Sequence, residues 1–245
     1  GTRLPAASQP LAPCAAPSAV CADAGTVPDT IPGKEGCCSF MSKTIYLFRH
    51  SEPADDRTIP TEQIPLSYEG RKKIAGMVPR FDRISDVYSS PYLRAVQTAE
   101  AFGMKVSVDD RLHERTIGRP EAFTKDLWEL QYHDRALKLA GGESFLEAGR
   151  RMRLAMTDIL SGLRNGQSAV VVSHAAAICA YLMEFASCEI TVTDIETGTR
   201  KIVWKDRTLC DGPIPMPSYF VLTFEGESDA HIVRGLIAVL QIILS

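Results

Sequence analysis

The 245-residue chain carries little surplus charge of either sign: 27 Lys and Arg against 30 Asp and Glu leave a net −3. Neither nucleic acid nor an anionic membrane is therefore an expected partner, and any phosphate site has to be local. No apolar run approaches the roughly twenty residues that cross a bilayer. Cysteines are few and poorly placed for metal or disulfide chemistry. Cys14, Cys21, Cys37 and Cys38 lie in the first forty residues, and only Cys179, Cys188 and Cys210 follow, with no CxxC pair and no zinc-like spacing. This usage fits a reducing, cytoplasmic compartment. Also missing are an arginine six positions after any cysteine, GxxxxGK[ST], HExxH and G-x-S-x-G. Cysteine-phosphatase, P-loop, zincin and serine-hydrolase chemistries go with them.

What is present suits an ordinary globular domain with ends attached, at 45% hydrophobic and 23% charged residues. Gly1 to Phe40, rich in Ala, Pro, Ser and Gly, reads as a disordered or foreign leader. It lacks a sustained apolar run, so a secretory signal is not expected; organelle targeting stays open because acids are absent before Asp23. The domain is expected over residues 41–226. The apolar tail, 227–245, is compatible with a strand, a docked helix or a non-native extension.

From Lys43 onward strands and helices alternate. Thr44 to Phe48 reads as a buried strand, and Ser67 as the cap of a following helix. Asp86 to Tyr88 is a second strand; Ser90 and Pro91 then suit the cap and first position of a helix running to Phe102. Val106 to Val108 is a third strand candidate. Ser144 and Glu147 have capping-box spacing at the head of a helix with Met152, Met156, Ile159, Leu160 and Leu163 on one face. Ala169 to Ser173 is the clearest buried strand, and an apolar helix from Ala175 to about Phe185 follows. Ile190 to Ile195 and Arg200 to Trp204 alternate as in a hairpin. The pattern implies an α/β three-layer sandwich with a mostly parallel central sheet flanked by helices.

Arg49 and His50 directly follow the first strand, and His174 directly follows the Val-rich strand, so a parallel sheet brings both histidines to its carboxyl edge, where ligands bind. Arg94 lies in the first turn of the helix after the second strand, and Glu114 a few residues after the third. Singly, each has a plain structural explanation, such as a cap, a solvated arginine or an exposed acid, and Glu121 competes with Glu114. Convergence on one edge favours an anion site.

The local sequences resemble the histidine phosphatase superfamily. Tyr46-Leu47-Phe48-Arg49-His50-Ser51 is similar to the strand and Arg-His-Gly motif; Pro65 to Gly70 and Tyr88 to Ala99 are similar to the next two blocks. Arg111 to Gly118 resembles the block carrying the acid, Gly141 to Ser144 a later one, and Val170 to Ala175 the second-histidine block. The resemblance implies a phosphoglycerate mutase-like fold and a phosphatase acting on a small phosphomonoester. In it His50 is the nucleophile, Glu114 the general acid and base, and Arg49, Arg94 and a protonated His174 bind the phosphoryl group, with no metal and no cofactor. Phosphoglycerate mutase-type transfer and non-catalytic binding of a phosphorylated ligand remain the alternatives. Ser51, Ala175 and Asp56 depart from the family pattern; they are expected to add bulk or negative charge near the phosphate and give a narrower or slower enzyme.

Overall fold

The computed structural model describes residues 42–81, 83–119, 124–194, 197–225 and 233–237. The leader, Glu121, residues 195–196 and the rest of the tail lie outside them.

Six strands form the main sheet in the order β3-β2-β4-β1-β8-β9: β1 Ser42–Arg49, β2 Ile84–Ser89, β3 Val106–Val108, β4 Ser168–Ser173, β8 Ser218–Glu225 and β9 Val233–Ile237. The pairs β3-β2, β2-β4 and β4-β1 are parallel, whereas β8 and β9 add to β1 antiparallel. A separate three-stranded antiparallel sheet joins β5 Glu189–Asp194, β6 Thr199–Trp204 and β7 Arg207–Pro213. The first two of these are the anticipated hairpin. The strands β7 and β8 were not anticipated, although Tyr219 to Phe224 is an aromatic and β-branched run, and part of the apolar tail forms β9.

Side-chain alternation along the strands builds two cores. Ile45 and Leu47 of β1, with Ala169 and Val171 of β4, face α4 Phe145–Gly162 and α5 Ala175–Phe185. Phe48, Val170 and Val172 face the other way, toward α1 Tyr68–Met77 and α2 Leu93–Glu100. That gives the helix-sheet-helix layering expected of the pattern. The methionine stripe is core: Met152 and Met156 are almost wholly buried, each contributing about 2 kcal/mol by area removed from water. Ser144 and Glu147 form the reciprocal capping box, with Glu147 N donating to Ser144 Oγ at 3.1 Å and Ser144 N donating to Glu147 Oε2 at 2.9 Å. Ser67 caps α1 by accepting from Gly70 N.

One expectation is corrected. The helix after β2 starts at Leu93 with Tyr92 as its N-cap, and it ends at Glu100 rather than Phe102. Ser90 receives only a long bond from Tyr92 N, 3.3 Å, because its hydroxyl is committed to His174. A further helix, α3 Lys125–His133, fills the segment without motifs.

Candidate active site

The parallel register assembles the site. Arg49 is paired with Ser173, and His50 N donates to Ser173 O, so the residues that follow the two strands, His50 and His174, emerge side by side. Their ring centroids are 4.9 Å apart. Next along the sheet, Ser90 N donates to Val172 O at the end of β2, which sets the turn into α2 and carries Arg94 back over both imidazoles.

Arg94 bridges the histidines. Its Nε donates to His50 Nε2 at 3.2 Å and its Nη2 to His174 Nδ1 at 3.4 Å, while Nη1 donates to the Thr61 carbonyl. A guanidinium only donates, so each contacted ring nitrogen must present its lone pair. The opposite nitrogens then carry the protons: His50 Nδ1 donates to the Ser51 carbonyl at 2.7 Å, and His174 Nε2 donates to Ser90 Oγ at 2.7 Å. Both imidazoles are neutral, in opposite tautomers. Burial works in the same direction. His50 is lowered to about 3, chiefly by desolvation, with Arg94 and Arg49 adding to it against the Ser51 bond; His174 is held well below its usual value by burial, then by His50 and Arg94. The protonated His174 that the resemblance implies for phosphoryl binding therefore requires proton uptake, since Nδ1 here accepts from Arg94. The arginine that bridges both rings already supplies the positive charge, and a second one beside it would be repelled.

Arg49 lies within electrostatic reach of both histidines but donates its own Nη1 to the Ile214 carbonyl. Burial, followed by nearby Arg200, lowers it to about 10, so its charge persists at neutral pH. Glu114 sits across the site at the head of α5, where its carboxylate accepts from Ala177 N at 2.9 Å, Ala176 N at 3.4 Å and its own neighbour Arg115 N at 2.8 Å. A helix N-terminus favours such a group. Its loop is held from behind by the Arg151–Glu143 fork, at 2.7 and 2.8 Å, since Arg151 Nη1 also donates to the carbonyls of Arg111 and His113. Two glycines permit this packing: a Cβ on Gly118, whose φ is +93°, would meet Gly142 N at 2.8 Å, and one on Gly142 would meet the Ile117 carbonyl at 2.4 Å.

All five residues expected from the sequence therefore lie around one strand-end cluster. Two of the departures from the family pattern have partners of their own. Ser51 Oγ donates to the Gly70 carbonyl on α1 at 2.7 Å, so its extra atom is absorbed by the neighbouring helix. Asp56 accepts from Thr58 N and Oγ1 in a local turn, and Asp55 pairs with Arg57 at the surface. Among the described residues, no group of three or more His, Cys, Asp or Glu is arranged to hold a metal ion, and Asp109 is committed to Arg111. Sequence reasoning missed Ser90 as the partner of His174, Tyr92, whose ring lies 4.8 Å from His174 and 4.9 Å beneath Arg94, and the buried Arg200. Arg200 had a signal, because it shares strand parity with the apolar Ile202 and Trp204.

The chain is 31% identical over 193 residues to the bifunctional protein Rv2228c of Mycobacterium tuberculosis, covering 71% of this chain and 52% of that protein. It is 31% identical over 152 residues to a probable phosphoglycerate mutase GpmB of Yersinia enterocolitica, covering 55% of this chain and 70% of that one. The chain spans about half the length of the first curated relatives it matches. Among solved structures, a mycobacterial glucosyl-3-phosphoglycerate phosphatase superposes with a TM-score of 0.59 at 19% identity, covering 80% of this chain and 97% of that one. A structure described as mycobacterial hydrolase 2 gives 0.57 at 17% identity, covering 82% and 90%. These two share the fold. The sequence description of the histidine phosphatase superfamily (branch 1) matches residues 45–199, which include Arg49, His50, Arg94, Glu114 and His174, and the chain belongs to that superfamily.

Proposed function

We propose that the protein is a metal-independent phosphatase that hydrolyses a small phosphomonoester through a phosphohistidine on His50. The observation that carries this reading is the fixed tautomer of His50. With Nδ1–H tied to the Ser51 carbonyl, the nucleophilic lone pair is on Nε2, beside the Arg94 guanidinium that would neutralise a phosphoryl oxygen. In the first step Nε2 attacks phosphorus, the P–O bond to the alcohol breaks, and Glu114, which enters this step as the carboxylic acid, gives its proton to the departing oxygen. In the second, water attacks the phosphohistidine, Glu114 takes the proton, and the P–N bond breaks to return neutral His50 and inorganic phosphate. Arg94 and Arg49 offset the charge of the transferring group, and an incoming dianion would draw a proton onto His174. The arginines supply the positive charge that a metal provides in other phosphatases.

Hydrolysis is favoured over isomerisation by the loop from Glu52 to Ile64, which lacks the Trp-Asn and Gly-Trp elements that resemblance to phosphoglycerate mutases would require. The repulsion expected from Asp55 and Asp56 is not part of the case, since both acids are engaged at the surface, where water and salt screen them. Retention of Glu114 beside a nucleophile speaks against simple phospho-ligand binding. Phosphate release from a panel of phosphomonoesters in excess chelator tests the proposal. Turnover that His50→Asn abolishes is expected; turnover that depends on added Mg²⁺ contradicts it.

A further inference from the structure

Helices α2 and α5 both begin without a side-chain cap, although Ser90 precedes the first and His174 is itself the N-cap of the second. Each side chain is spent on the other: Ser90 Oγ and His174 Nε2 are 2.7 Å apart, and both residues are fully buried. The backbone holds the serine in place, since Ser90 N donates to Val172 O at 2.9 Å and Ser90 O accepts from Ser89 Oγ at 2.8 Å. Its hydroxyl is thus kept against the imidazole rather than on the helix. A serine before Pro91 that is diverted from capping is a local conflict of the kind that sequences keep at functional sites. The steps above leave that hydroxyl without a role.

The bond matters because the rest of the surroundings oppose a charge on the ring. Burial does so most, followed by His50, Arg94, His113 and Arg49. The acids of the site are engaged elsewhere: Glu114 accepts from Ala176 N and Ala177 N, and Glu62 is felt by Arg94 and Tyr92. Tyr92 meets the imidazole with its own ring, 4.8 Å away. Among the described residues, Ser90 Oγ is the one acceptor bonded to either ring nitrogen of His174. Without it, Nε2–H would be buried and unpaired, and moving that proton to Nδ1 would set it against the Arg94 Nη2 donor, 3.4 Å away. With it, Nδ1 keeps its lone pair toward Arg94, and a second proton can be added there while Nε2–H stays bonded. We infer that Ser90 is a positioning residue for phosphoryl transfer: its hydroxyl fixes the His174 tautomer and supports the imidazolium that forms when a phosphoryl oxygen replaces Arg94 at Nδ1. The proton comes from solvent onto Nδ1, the new N–H donates to that oxygen, and the proton returns to solvent when inorganic phosphate leaves. This rests on the phosphatase reading and adds the residue through which His174 changes charge.

The test is the pH dependence of kcat in the full chain, which reports groups in the substrate complex. Loss of the added His174 proton contributes to the alkaline limb, and removing an acceptor that favours the charged ring lowers the pH at which that proton is lost. In Ser90→Ala the limb should move about one pH unit lower, an about tenfold loss of kcat on its alkaline side, and Ser90→Thr, which keeps the hydroxyl, should restore its position. An equal loss of kcat at every pH, with the limb unmoved, would show a merely structural role and overturn the inference. If the variants do not fold, NMR of the imidazole nitrogens in the wild type near neutral pH is read instead. His174 should be protonated on Nε2 alone in the free protein and on both nitrogens when saturated with inorganic phosphate. A ring that stays neutral with phosphate bound, or that is protonated on Nδ1 in the free protein, would overturn the inference as well. Absence of turnover on every phosphomonoester would overturn the phosphatase reading itself, whereas the tautomer measurement depends only on phosphate binding.

Discussion

Arg94 Nε donates to His50 Nε2 at 3.2 Å, so the guanidinium occupies the lone pair proposed to attack phosphorus. The bond holds the ring neutral and aimed before substrate arrives, and it must be exchanged for a phosphoryl oxygen when substrate binds. Lysine in its place keeps the charge but cannot span both histidines. Arg94→Lys should lower kcat/KM by about 10²- to 10³-fold, the usual loss when one charge-stabilising donor is removed. A loss below about fivefold in steady-state kinetics would show that the bridge has no part in turnover.

Two neutral buried histidines make stability depend on pH. The folded protein resists protonation of His50 down to about 3 and of His174 well below 6.5, whereas the unfolded chain accepts those protons near 6.5. Their contribution is therefore full above about pH 7 and is lost as pH falls below 6.5, with a limiting slope of about 1.4 kcal/mol per pH unit for each ring. Urea melts from pH 7.5 to 5 should show this loss in the wild type and a flatter dependence in His50→Gln/His174→Gln. Parallel curves would contradict it.

Arg151 touches neither histidine, yet it anchors the carbonyls just before Glu114 while forked to Glu143. Replacing it should misplace the proton donor. Arg151→Met is predicted to lower kcat about tenfold for alkyl phosphates and far less for p-nitrophenyl phosphate, whose leaving group departs without a proton. Equal losses on both would indicate a general structural role.

Much of this site was legible because three parallel strands end in polar residues: register alone carries His50, Ser90 and His174 to one edge. Capping at Ser67 and Ser144 was equally local. The cap assigned to Ser90 was not, because a tertiary partner, His174, outcompeted the local backbone for its hydroxyl. Protonation of His174 likewise depended on a neighbour, the bridging Arg94. Helix α3 and strand β7 carry no marked periodicity and are fixed by what they pack against, whereas β8 was legible as the apolar run Tyr219 to Phe224 and was overlooked. Arg200 looked like an ordinary charged residue until Ile202 and Trp204 showed which face of β6 is buried.

The loop from Glu52 to Ile64 bears on the fate of the phosphoryl group. With 2- or 3-phosphoglycerate and a trace of the bisphosphate, inorganic phosphate should appear faster than the isomer, followed by NMR of phosphorus. Isomerisation outrunning phosphate release would turn the assignment to a mutase and leave His50 as nucleophile.

The central claim is that His50 Nε2 carries the phosphoryl group. Rapid quench with ³²P-labelled substrate should trap label on the protein that survives base, is lost in acid, maps to the peptide containing His50 and is missing from His50→Ala. Label that persists in His50→Ala, or turnover through which no acid-labile label accumulates even when Glu114→Gln slows hydrolysis of the intermediate, would contradict it.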